Sequence, residues 1–368
     1  MPTDSQSKSP DDIPNNSQVR PIAQFPYERV ANKLSWDETR WPGGNRPSLV
    51  PFFGAGASSS VGQALAKDGS PSALFPKGKD LARRLAKDAN PCSPSFNDED
   101  AADLGKSARY YEIVVSRDDL RNDLHKEFSR TANNLDATVQ DVLTGVGANM
   151  FFTTNYDTLI EQALMRRKAK FVVVVEIIDP FDFCVDAEGK RQVERITHRK
   201  LLLLDSRVEA SHPRPEPVHR EQFDPHEFLT EDCSIVYKMH GSVCPNPSQS
   251  QFLISDNDYV NFMLNRNATM LPAKVAAYVA TRKFLFLGYS LRDWNFRLLF
   301  AKLSGSHLSS RRSNAAQATD GKSFAVMRDS SPMDQEIWSK SGVQIFSGEL
   351  STFARDMRVV MDRIAQQV

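Results

Sequence analysis

One stretch decides the fold: Met150-Phe151-Phe152-Thr153-Thr154-Asn155-Tyr156-Asp157. Three consecutive apolar residues make a short strand buried on both faces, and the polar run after them ends it. Apolar residues at helical spacing then continue through Arg167, and Phe171–Val175 is a second, β-branched strand. The same grammar recurs along the chain. Leu49–Phe53 runs into Gly54-Ala55-Gly56-Ala57-Ser58, Ile235–Met239 into His240-Gly241-Ser242, and Lys283–Leu287 into Gly288-Tyr289-Ser290. Pro51 is awkward in a central strand because it lacks an N–H.

Helical spacing predicts helices over Gly78–Asn90, two more within Asp98–Arg130, and others near 256–266, 272–281, Leu291–Leu303, 333–340 and 350–366. Short strands are expected over 201–204, 324–327 and 343–346. Strands alternating with helices, without a repeat period, predict an α/β fold: a Rossmann-like, doubly wound, mostly parallel sheet. Residues 1–26 hold five prolines among Ser, Asp, Asn and Gln and read as a disordered tail. Residues 27–368 then form one domain, with a helical insertion at about 78–145 and a loop-rich one at about 179–232, where Pro213, Pro215, Pro217 and Pro225 cluster.

The 368 residues carry 46 basic and 46 acidic side chains, so strong intrinsic binding to nucleic acid through net charge is not expected. No apolar run reaches the ~20 residues that span a bilayer, and residues 1–20 show no secretory pattern. Cys92, Cys184, Cys233 and Cys244 include no C-x-x-C pair, which points to a reducing, cytoplasmic setting and away from a zinc site. Five of the seven histidines lie between His198 and His240, again without metal-ligand spacing. Trp294, Leu298, Phe300 and Leu303 read as core packing, and Arg311-Arg312 as solvated surface.

In an open α/β sheet, ligands bind beyond the carboxyl ends of the strands, where all these polar runs fall. Gly54 and Gly56 leave room for backbone amides to approach an anion, with Ser58 adding a hydroxyl; an ordinary glycine turn looks the same. Thr153, Thr154, Asn155 and Asp157 crowd one strand end, although Asp157 alone suits capping the next helix. His240, beside the space left by Gly241, is the side chain most easily poised for proton transfer near neutral pH.

Taken together these runs resemble the sirtuin family, proteins similar to silent information regulator two. The family's glycine-alanine-glycine-x-serine turn matches Gly54-Ala55-Gly56-Ala57-Ser58, and its threonine-x-asparagine-x-aspartate motif matches Thr153–Asp157. Its histidine-glycine matches His240-Gly241, and its late glycine-x-serine matches Gly288-Tyr289-Ser290. Two departures stand out: the four-cysteine zinc module of the deacylases cannot be built, and their proline–aspartate–phenylalanine–arginine stretch has no counterpart after the first turn. The chain is more similar to the prokaryotic sirtuin-like branch, whose members hydrolyse NAD+ in anti-phage defence.

That resemblance implies an NAD+ hydrolase releasing nicotinamide and ADP-ribose without a metal. It places Asn155 and His240 as the catalytic residues and the pyrophosphate on Gly54, Ala55, Gly56 and Ser58. Thr154, Asp157 and Gly241 would line the site, with Gly288 and Ser290 at the adenosine half. It also implies a homo-oligomer, or control by a separately encoded partner such as a HerA-type ATPase or a short Argonaute. An NAD-dependent protein deacylase and a non-catalytic nucleotide-binding subunit are the alternatives.

Overall fold

The computed structural model describes residues 20–34, 48–59, 61, 64–65, 71–72, 74–90, 96–136, 138–184, 193–207, 215–230, 233–265, 271–289 and 323–366. Nine strands form the central sheet, numbered here in chain order: β1 (Leu49–Phe53), β2 (Met150–Thr153), β3 (Lys170–Glu176), β4 (Lys200–Asp205), β5 (Pro215–His219), β6 (Cys233–Lys238), β7 (Lys283–Leu287), β8 (Ser323–Met327) and β9 (Val343–Ser347). They lie in the order β9-β8-β7-β1-β2-β6-β3-β4-β5. Every pair from β9 to β3 is parallel, and β4 and β5 extend the sheet antiparallel. After β1 the chain builds one side of the sheet and then crosses to β7 on the other. The switch point of this doubly wound fold is therefore the β1–β7 boundary.

The unbroken apolar run of β3 follows from that architecture. Phe171, Val173 and Val175 pack into one core, while Val172 and Val174 pack into the core on the opposite face. The first face is covered by the helices Leu159–Arg166 and Leu350–Ala365 through Ile160, Leu164, Phe353 and Met357. The second is covered by Asp256–Asn265, Ala273–Ala280 and Pro332–Lys340 through Phe262, Val275, Val279 and Trp338.

Pro51 sits in the sheet interior at no cost to the ladder. The Phe53 carbonyl faces β2, where it accepts from the Thr154 amide, and with period two Pro51 faces the same way. Pairing with β2 starts only at Phe52, so no partner there awaits an N–H from Pro51.

Three regions differ from the sequence expectations. Residues 20–26 are packed rather than part of a tail: Pro21 bridges Ser347, and Phe25 is buried edge-on against Phe324, Phe346 and Phe353. The stretch 98–130 forms three helices, not two, because Asp103 and Ser116 each cap a new helix by accepting from the amides of Lys106 and Asp119. The 179–232 segment, expected to be loop-rich apart from a strand at 201–204, carries further strands among its described residues. It holds the hairpin Phe181–Cys184/Val193–Ile196 and both antiparallel strands. The Arg220 amide donates to the Arg199 carbonyl, so by alternation the pairs 202↔217 and 204↔215 make no ladder bonds. Pro215 and Pro217 occupy those positions and close the sheet edge to further pairing. The expected helix over Leu291–Leu303, Ser290, the Trp294 stripe and Arg311-Arg312 lie outside the described residues.

The helical insertion packs at the carboxyl end of the sheet. Leu81, Leu85, Ala108, Leu120 and Leu124 form a separate core with Val243, Phe252 and Ile254, and Tyr156 packs against it.

Candidate functional site

The glycine turn and the late glycine strand end meet at the switch point. The Gly54 amide donates to the Leu287 carbonyl and the Gly56 amide to the Gly288 carbonyl, each at 2.9 Å. A Cβ on Gly288, whose φ is +73°, would lie 2.2 Å from the Ala57 nitrogen. The room the glycines leave is thus filled by backbone, and two of the amides that sequence reasoning offered to an anion are already committed. Ala55, between them, is exposed.

The run after β2 closes over this turn. Asn155 Nδ2 donates to the Gly54 carbonyl at 2.9 Å and to Ser58 Oγ at 2.7 Å. Ser58 Oγ in turn donates to Asp157 Oδ2 at 2.6 Å, inside the protein. Asp157 Oδ1 accepts from the Leu159 amide, so this carboxylate also anchors the helix that follows. Because Gly54 offers a carbonyl, the amide nitrogen of Asn155 must face it, which leaves Oδ1 as the free end. Among the described residues Oδ1 has no partner, and the residue is only partly buried. Below it, Thr153 Oγ1 accepts from the Asn155 amide and donates to the Phe53 carbonyl.

His240 stands at the same level, just past the end of the neighbouring strand β6. Lys238 pairs with Thr153, and the Met239 amide donates to the Thr153 carbonyl, so two residues further on His240 comes level with Asn155. Its ring meets Tyr259 and Phe262 edge-on, with centroids 5.7 and 6.2 Å away. Burial holds its pKa down to about 4, so the imidazole is neutral at physiological pH. Its backbone is fixed by the Leu253 amide on its carbonyl and by Gly241. Gly241 has φ +91°, and a Cβ there would lie 2.1 Å from the Gln251 carbonyl oxygen.

The structure therefore joins Gly54, Gly56, Ser58, Asn155, Asp157 and Gly288 in one bonded cluster. Thr154 is bound to it through Tyr289, whose hydroxyl lies 2.7 Å from Thr154 Oγ1 and donates to the Phe53 carbonyl at 3.0 Å. His240 and Gly241 border the cluster just beyond the end of β6. Sequence reasoning missed Tyr289, although it sits inside a quoted motif. It also missed Lys238, a lone charge in an apolar strand two residues before His240, and Glu161. Among the described residues no three His, Cys, Asp or Glu side chains converge to hold a metal ion.

A family model described as SIR2-like domain matches residues 149–346, more than half of the chain. The chain belongs to the SIR2-like domain family. The matched span includes Asn155, Asp157, His240 and Gly288, while the 54–58 turn that completes the SIR2-like cluster precedes it. A solved structure reported as "Structural Basis for the Mechanism and Regulation of Sir2 Enzymes" aligns at 13% identity over 92% of this chain and 98% of that one, with a TM-score of 0.34. No curated protein matches the sequence. No helix among the described residues of this SIR2-like chain is long and apolar enough to cross a membrane.

Proposed function

We propose that this SIR2-like chain is an NAD+ glycohydrolase: water displaces nicotinamide from the ribose, giving nicotinamide, ADP-ribose and a proton. Membership in the SIR2-like family supports an NAD-using enzyme. The observation that carries the finer reading is the Asn155 amide, held through Nδ2 by Gly54 and Ser58 with Oδ1 left as an acceptor at the switch point. An acceptor fixed there would orient a ribose hydroxyl or the attacking water.

Nicotinamide leaves NAD+ as a neutral molecule and needs no general acid. The barrier is the positive charge that develops on the ribose, which fixed oxygens and dipoles stabilise. His240, neutral at pH 7, would act as the base toward water or a ribose hydroxyl. The pyrophosphate is assigned to the 54–58 turn, Thr154, Asp157 and Gly241 to the site lining, and Gly288 with Ser290 to the adenosine half, all on the family resemblance. In this reading no step requires a metal.

An enzyme that depletes NAD+ must be restrained, so we assign control to self-assembly or to a separately encoded partner, in keeping with a role in anti-phage defence. Size-exclusion chromatography with light scattering tests the first: the active form is expected to be an oligomer, and a fully active monomer would refute it. Incubation with NAD+, with and without an acetylated peptide, tests the reaction. Nicotinamide release without peptide is expected; release that depends on peptide would identify a deacylase instead.

A further inference from the structure

Lys238 ends a strand of otherwise uncharged residues, Cys233–Lys238, and its side chain is wholly buried. Lysine is rarely found there, because removing an ammonium from water is costly unless every donor is met. Side chains alternate along β6: Tyr237 enters the core on one face, while Lys238 points to the other, beneath the helix Leu159–Arg166. There Nζ lies 2.8 Å from Oε1 of Glu161, itself buried in the first turn of that helix. The other two donors reach backbone: the Asp157 carbonyl, and the Tyr156 carbonyl at 3.4 Å. Three donors meet three acceptors, and two of those acceptors belong to the turn that carries Asn155.

The burial makes little sense as stabilisation. A buried ion pair generally returns about as much as its desolvation costs, and well-packed apolar residues often do as well or better. What an apolar pair cannot do is hold two carbonyls. The Tyr156 carbonyl also accepts from the Val243 amide at 3.0 Å, just beyond His240 and Gly241, so the same anchor ties the Asn155 turn to the His240 turn. We propose that Lys238, itself held by Glu161, is a positioning residue that pins the 155–157 backbone from below and so fixes the Asn155 amide relative to the 54–58 turn and His240. The catalytic part of this inference rests on the hydrolase reading above; the positioning part does not.

The test compares the full chain with Lys238→Met and with the double variant Lys238→Met/Glu161→Leu, which replaces the pair by apolar side chains of similar size. The single variant leaves a buried carboxylate unpaired and is expected to melt well below the parent; the double variant is expected to recover most of that loss. Hydrogen–deuterium exchange then reads the turn directly. In the double variant the peptide spanning 153–159 should exchange at least about tenfold faster than in the parent, with β1 and β3 unchanged. Nicotinamide release should remain down at least about tenfold, chiefly in kcat, despite the restored stability. A purely structural pair predicts the opposite, activity returning with stability. Parental protection of 153–159 in the double variant would overturn the proposal, whatever the activity. If the parent itself releases no nicotinamide, the hydrolase reading fails while the exchange measurement still decides the positioning.

Discussion

The chemistry of this SIR2-like site rests on a few side chains whose bonding capacity is nearly used up. Ser58 receives one hydrogen from Asn155 and gives its own to Asp157. Ser58→Ala would leave a buried carboxylate oxygen without its donor, and we expect a loss of about 1–3 kcal/mol, measurable by urea denaturation. Asn155 would keep only the Gly54 carbonyl as a fixed point, so activity should fall further than stability. His240 gives a pH signature. Its folded pKa, about 4, lies below the ordinary 6.5, so above pH 6.5 neither folded nor unfolded chain is protonated there and stability is unaffected. As pH falls from 6.5 toward 4 the unfolded chain binds a proton that the native site refuses, and stability declines. A thermal-melting series should therefore show the parent losing stability relative to His240→Gln across that window; parallel curves would show that burial does not depress the group. If His240 is the base, the acid limb of kcat/KM should have its midpoint near pH 4 rather than 6.5.

At the scale of the elements, the strand ends could be recognised in the sequence because each pairs a short apolar run with a polar or glycine stop. The bonds across those ends could not. Gly54 and Gly56 looked suited to admitting a ligand; the structure shows them admitting Gly288, because Leu49–Phe53 and Lys283–Leu287, far apart in sequence, become neighbours only once the sheet order exists. Asp157 anchors the next helix through the Leu159 amide, although Thr158 occupies the cap position, and its bond to Ser58 is non-local and invisible in sequence. Lys238 was readable as an oddity in an apolar strand, but its partners Glu161 and the two carbonyls come from another element. The crossing at Gly288 yields a prediction of its own. With φ at +73° and the Ala57 nitrogen 2.2 Å from a built Cβ, Gly288→Ala must move backbone on both sides of the switch point. We expect a destabilisation of at least about 2 kcal/mol and weakened NAD+ binding; a melting temperature equal to the parent's would mean that the β1–β7 crossing is not tight.

Among the described residues the molecule is built on one nine-stranded sheet covered on both faces, with a helical insertion packed beside its carboxyl end and an antiparallel extension at its flank. The doubly wound order follows from strand–helix alternation, which is why the fold class was legible. Of the extension, the strand expected at 201–204 was legible, whereas Pro215–His219 was not, since its prolines read as loop until their outward-facing edge positions are known. A buried cluster fastens it: Arg220 donates to both oxygens of Glu176, which also accepts from the Tyr237 hydroxyl. Arg220→Ala would take the guanidinium away from the fully buried Glu176 and should cost about 3–5 kcal/mol by denaturant unfolding. The central claim, that this assembly presents Asn155 to the ribose of NAD+, is tested most directly by following NAD+, nicotinamide and ADP-ribose over time with purified parent and Asn155→Ala, alone and with candidate partner proteins. The account predicts peptide-independent release of nicotinamide and ADP-ribose by the parent and its loss in a folded Asn155→Ala variant. Release at the parental rate by that variant would contradict it.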